Sequence, residues 1–170
     1  VIAGLPGGPA GAAKERRYGG RLVVTVDRNG KLAVVNELPA DHLLNGLLPA
    51  EIYVSAPLEA LKAQAVAARG QLFAKIGTRH TADPYLVCGD QHCQVYSGAG
   101  SEHPRTSQAV AETRGQILVD DRGRLADTVY SASCGGALEH NEHVWNTPPN
   151  PHLRGHLDAP AEAIRKLPAF

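Results

Sequence analysis

Two runs of strand-forming residues flank Asp27-Arg28-Asn29-Gly30 in RLVVTVDRNGKLAVVNELP, and the Asn-Gly pair suits a tight turn, so the pattern predicts a β-hairpin. Leu43, Leu44, Leu47 and Leu48 then put one apolar side on a short helix over 41–48, with Asp41 as its cap and Pro49 at or beyond its end. A longer helix follows. Leu58, Leu61, Ala65, Ala68, Leu72 and Ile76 recur at spacings of three and four, the mark of a buried stripe. Pro57 and Glu59 suit its start, and Gly77 its stop. A second face of that helix carries Lys62 and Arg69, seven residues apart and so pointing nearly the same way.

Further along, SEHPRTSQAVAETRG predicts a helix from about Pro104 to Thr113 that stops at Gly115. QILVDDRGRLADTVYSAS predicts two more strands around a turn at Asp120 to Gly123. The remainder is dominated by loop formers. Strands and helices mix unevenly, without the βαβ alternation of a parallel sheet. The fold class expected is α+β, a single mixed domain with antiparallel β-hairpins packed around one long helix and shorter helices. Residues 1–17, rich in Gly, Ala and Pro, are expected to be a flexible leader, and residues 18–170 the domain.

Bulk composition narrows the classes. With 170 residues the chain can bury one real core. Seventeen basic residues balance seventeen acidic ones, which gives no footprint for nucleic acid. No apolar run is long enough to span a membrane, and the first twenty residues hold no credible signal-peptide core. A chain without methionine is expected to come from a longer precursor, whose missing part could hold a signal or anchor.

The densest chemistry lies in HTADPYLVCGDQHCQVYSG, where Cys88, His92 and Cys93 follow His80. Two thiols and two imidazoles within fourteen residues are a zinc-like donor set. A disulfide between Cys88 and Cys93 is sterically open too, as are two packed or free thiols. His103, His140 and Cys134 compete with His80 for the fourth position. Cys134 before Gly135-Gly136, with His140 and His143 as bases, raises a cysteine hydrolase, whose geometry a sequence does not show. The glycines lack the lysine and context of a phosphate loop. Glu51, in LLPAEIY, is a carboxyl among apolar neighbours, a setting that favours its protonated form and so a general acid.

Six separated segments together resemble one family. NELPADHLLNGLLPAEIYVSAPLEALKAQAVAARG, CGDQHCQVYSG, AVAETRGQIL, YSASCGG, EHNEHVW and PHLRG look like the motifs of the SpoIID/LytB family, in its order, over roughly residues 20–158. This is the sporulation stage II protein D and amidase-enhancer group. The resemblance implies a lytic transglycosylase that cleaves the MurNAc–GlcNAc bond of peptidoglycan glycan strands stripped of stem peptides, outside the cytoplasm. It implies Glu51 as the catalytic acid and base, with Lys62 and Arg69 in the cleft. Gln94, Tyr96, Ser131 and Ser133 are expected to line that cleft. It further implies a structural zinc on His80, Cys88, His92 and Cys93, not required for the chemistry. A non-catalytic peptidoglycan-binding or amidase-enhancer module, partnered by a wall amidase, is the alternative. Two departures stand out: Cys134 replaces the family's usual serine or threonine, and EIYVSAPLEA lacks the aromatic residue common shortly before the proline.

Overall fold

Asp27 builds the first hairpin. Its Oδ1 accepts from the backbone N–H of Asn29 and of Lys31, at 2.8 Å each, and Gly30 takes the positive φ of 75° that closes the turn. The flanking strands are β2 (Arg21–Val26) and β3 (Leu32–Glu37), paired antiparallel from Arg21↔Glu37 to Val26↔Leu32. The computed structural model describes residues 2–4, 16–158, 160 and 162. Most of the expected leader therefore lies outside the described residues, but Ile2–Gly4 forms a strand, β1. It sits antiparallel to β3 and parallel to β4 (Val87–Cys88), giving the sheet order β2-β3-β1-β4.

Among the described residues, three α-helices and a short 3-10 helix (Ala99–Ser101) accompany the sheet in a first compact unit, Val1–Val129. Helix α1 (Ala40–Glu51) runs three residues further than the predicted 41–48 and carries Pro49 inside it. Proline in a helix interior costs about 3 kcal/mol. Here it falls in the last turn, and Leu43, Leu44, Leu47 and Leu48 are all buried, each burial contributing about 1.5–3 kcal/mol. Burial wins. Asp41 is not the cap either: Pro39 holds that position, and the Asp41 carboxylate is turned to Arg69 and Arg114.

Helix α2 (Leu58–Lys75) buries Leu61, Ala65, Ala68 and Leu72 of the expected stripe, together with Arg69 and Gly70, while Leu58 is half-buried and Ile76 falls just past the helix end. Helix α3 (Pro104–Glu112) starts at the expected proline and buries Thr106, Ala109 and Val110. The three helices pack on one another pairwise. Leu38, Leu43, Leu72, Val87, Cys93 and Tyr96 form one cluster that joins helices, sheet and the cysteine loop. The second predicted hairpin shrinks to a bridge between Val119 and Leu125 around the Asp120 turn. Ile117, Leu118 and Val119 are exposed, and a strand pair without a buried face is marginal in water.

A second compact unit spans Tyr130–Phe170. Its hub is Asn141 at the start of the short helix α4 (Asn141–Val144). The buried amide donates to Thr147 Oγ1 and the Pro148 carbonyl, and accepts from Asn150 N and Arg154. A polar side chain can be buried at low cost only when it is satisfied in this way. The α+β class is what the described residues show.

Candidate functional site

Glu51 is the last residue of α1, half-buried, at the carbonyl end of a helix, the end that favours cations over anions. The chain then leaves through Ile52, which closes the helix with a bond to the Leu48 carbonyl, and turns at Tyr53 to Ala56. Arg105 of α3 holds that turn: its guanidinium donates to the carbonyls of Val54 at 3.0 Å and Ala56 at 2.7 Å. Tyr53, two residues past the acid, is 88 % exposed and offers an open aromatic face. Sequence reading passed over both Tyr53 and Arg105. A tyrosine in an apolar run reads as core, and an arginine fifty residues away in sequence carries no signal of its contact.

Lys62 sits between α2 and α3. Its ammonium bridges Glu59 at 2.8 Å and Glu112 at 2.6 Å. Those bonds, Glu112 first, raise the lysine above its ordinary value, and the same lysine holds Glu112 below the usual carboxylate range. An open groove of about 430 Å³ runs beside them, lined by Glu59, Lys62, Val66, Glu112 and Gln116 among others.

Arg69 does not line a cleft. The residue is 2 % exposed, and its guanidinium donates to the carbonyls of Gln116 and Val110, to Thr113 Oγ1 and to Asp41. A buried cation survives only when so many acceptors surround it, so Arg69 ties α2 to α1 and to the segment after α3. Tyr96 and Gln94 are likewise interior. Tyr96 is a member of the core cluster, reaches Asn36, and burial pushes its hydroxyl up to about 12. Gln94 donates to the Ala68 carbonyl and to Gln71. Both were expected at a substrate surface. They anchor the loop to α2 and to the sheet instead.

In the second unit Ser131 and Ser133 are exposed; Ser133 Oγ accepts from Gly135 N, and Ser131 donates to the Ser133 carbonyl. The Cys134 thiol donates to Asp158 and its sulfur accepts from Gly136 N. His143 is bonded to Glu139, and His140 Nδ1 accepts from Gly155 N. These contacts engage the thiol and both imidazoles separately, which is not the nucleophile–base pair of a cysteine hydrolase.

The expected metal ligands converge. His80, Cys88, His92 and Cys93 bring one ligand atom each within 4.8 Å of one another. His92 Nδ1 lies 3.2 Å from His80 Nε2, 3.6 Å from Cys88 Sγ and 3.7 Å from Cys93 Sγ. A tetrahedron with ordinary zinc–nitrogen and zinc–sulfur bonds spaces its ligand atoms at about 3.3 Å (two nitrogens) and about 3.6 Å (nitrogen and sulfur). The donor set and its spacing fit that ion. All three cysteines are free, so the disulfide alternative is not realised. Burial, aided by hydrogen bonds involving Asp90 and Cys93, pushes the Cys88 thiol up to about 12, and a metal would have to displace that proton. The loop itself is held from behind: Lys75 and Arg79, at and just past the end of α2, donate to the carbonyls of Cys93 and His92.

The first unit thus sets an acid at the end of one helix and gathers two thiols and two imidazoles beside the end of another. A family profile described as stage II sporulation protein, SpoIID, matches residues 28–119, more than half of the chain. The chain belongs to the SpoIID family. It is 38% identical over 128 residues to an uncharacterised protein of Brachyspira hyodysenteriae, covering 75% of this chain and 34% of that one. It is 39% identical over 104 residues to the amidase enhancer of Bacillus subtilis, covering 61% of this chain and 14% of that one. The chain thus spans about a third of the first relative's length, and less of the second's. Among the described residues no helix is long and apolar enough to cross a membrane.

Proposed function

We propose that this chain acts on the bacterial cell wall, outside the cytoplasm, as a peptidoglycan lytic transglycosylase with Glu51 as its single acid and base. The observation that carries this reading is the position of Glu51, at the end of a helix whose leucine face is buried and at the head of a turn clamped by Arg105. General acid catalysis needs a carboxyl within hydrogen-bond reach of the oxygen it protonates, and a half-exposed carboxyl on a held backbone can offer that.

In the reaction Glu51 gives its proton to the oxygen of the β-1,4 bond as the N-acetylglucosamine leaves. The muramoyl C1 passes through an oxocarbenium-like state, and its own 6-hydroxyl closes on C1. The hydroxyl proton returns to Glu51, restoring the acid, and the product carries a 1,6-anhydromuramoyl end. No water is consumed, so no second carboxyl at the separation of a hydrolase is needed. Lys62 stands near the end of α2 that follows the turn, where a substrate carboxylate would compete with Glu59 and Glu112 for it. His80, Cys88, His92 and Cys93 would hold a zinc ion whose four protein ligands leave no open position, so that its contribution is to the fold of the loop.

The match to an amidase enhancer favours a second reading, a non-catalytic module that binds glycan and stimulates a wall amidase. Digestion of stem-peptide-free glycan strands, followed by analysis of their ends, separates the two. Anhydromuramoyl ends are expected from the enzyme. Unchanged strands that are retained by the protein, with an amidase accelerated in its presence, would replace it by the module.

A further inference from the structure

His80 has an unusual backbone, a φ of 54° that a non-glycine residue rarely adopts. The turn that follows is closed by Asp83 N bonding to the His80 carbonyl at 3.0 Å. This brings the Asp83 side chain back onto the ring it follows: Oδ2 lies 2.8 Å from His80 Nδ1. The other oxygen, Oδ1, faces the Arg28 guanidinium at 3.7 Å, from the tip of the β2–β3 hairpin. Asp83 and His80 side chains are both mostly buried, 14% and 12% exposed, so this contact is sheltered from water. Tyr85 covers the imidazole, with ring centroids 4.8 Å apart.

A carboxylate accepts only, so Nδ1 must carry the proton. That leaves the lone pair on Nε2, the atom that faces His92 Nδ1 across the ligand cluster. Asp83 cannot be a ligand through the same contact, because it meets the ring at the nitrogen that does not face the cluster.

We propose that Asp83 is the positioning residue of the metal centre: it fixes the tautomer and orientation of His80 and is itself held by Arg28, so the hairpin tip is linked to the ligand set. The inference rests on the proposed zinc reading of His80, Cys88, His92 and Cys93. Carboxylates placed behind a ligating imidazole raise its basicity and hold its plane, and their loss typically lowers metal affinity about 10–100-fold.

The test is cobalt(II) and zinc titration of the 170-residue chain, with Asp83→Asn, Cys93→Ser and Arg28→Gln beside it, and circular dichroism to establish that each variant is folded. The intact chain is expected to bind one ion and to give the visible bands and thiolate charge transfer of tetrahedral cobalt. Asp83→Asn is expected to keep the charge-transfer band but lose about 10–100-fold in affinity, and Arg28→Gln to lose less. Long-range nitrogen-15 spectra of the metal-free chain and of Asp83→Leu give a second readout, since leucine, unlike asparagine, offers no oxygen to accept from Nδ1 and His80 should then lose its preference for a proton there. Unchanged affinity in Asp83→Asn together with an unchanged tautomer in Asp83→Leu would overturn the role of Asp83 while leaving the zinc reading standing. No binding by the intact chain would overturn both, and binding that survives Cys93→Ser with its charge-transfer band intact would place the metal elsewhere.

Discussion

At the scale of single residues, two cations on one helix have opposite fates. Lys62 and Arg69 stand seven apart on α2 and look equivalent in sequence, yet Lys62 reaches a groove and Arg69 is interior. Periodicity reports which side of a helix a residue is on, not what another helix does there; α3 and the segment after it cover Arg69 with the carbonyls of Val110 and Gln116. Arg69→Ala is therefore expected to destabilise the fold by on the order of 3 kcal/mol, read by denaturant melts, with the KM of the remaining folded protein unchanged. A raised KM at unaltered stability would return Arg69 to the substrate. The Glu112–Lys62 pair makes a pH prediction. Glu112 is held below its ordinary range, so its contribution is present above the unfolded carboxylate value and is lost as pH falls through the lower folded value. Lys62, raised, contributes below its unfolded value and loses that contribution only as pH climbs through the folded one. Melting Glu112→Gln against the parent across the acid range should show a flatter acid limb in the variant; parallel limbs would mean the pair does not stabilise the fold.

Among the elements, the two long helices and α3 were legible because their buried leucines and alanines keep the 3.6 period. What the period could not show was where α1 stops, since Pro49 argues for an end that burial of Leu47 and Leu48 overrides. The metal loop was half legible. Its ligand types stood out in sequence, but the left-handed backbone at His80 did not, because only a few per cent of non-glycine residues adopt it and even histidine's enrichment there is too weak to mark one position. Close approaches were invisible as well. A Cβ on Gly46 of α1 would meet the Gly98 carbonyl and the Tyr96 ring at 2.7 Å each. Gly46→Ala should then cost about 1–3 kcal/mol by overpacking, seen as a lowered melting midpoint, whereas helix propensity alone would raise it. Arg105→Ala belongs to the same scale. Losing the clamp on Val54 and Ala56 should lower kcat through a looser turn after Glu51, with a stability change of only about 1–2 kcal/mol. An unaltered kcat would show that the turn needs no clamp.

For the whole molecule, the first unit contains Glu51, the proposed zinc ligands and all of the profile match, which runs over residues 28–119. Chelation should act there as a loss of structure: faster amide exchange across residues 80–93 and a lower melting temperature, with activity falling in step and returning on zinc addition. Activity lost with exchange unchanged would give the ion a direct part in the reaction. Bond cleavage itself is proposed to rest on one carboxyl, Glu51. This is tested most directly by mass spectrometry of soluble products from stem-peptide-free glycan strands, comparing the intact chain with Glu51→Gln at equal folded concentration. Anhydro-terminated saccharides from the intact chain alone are the predicted result. The same saccharides from both proteins would contradict it.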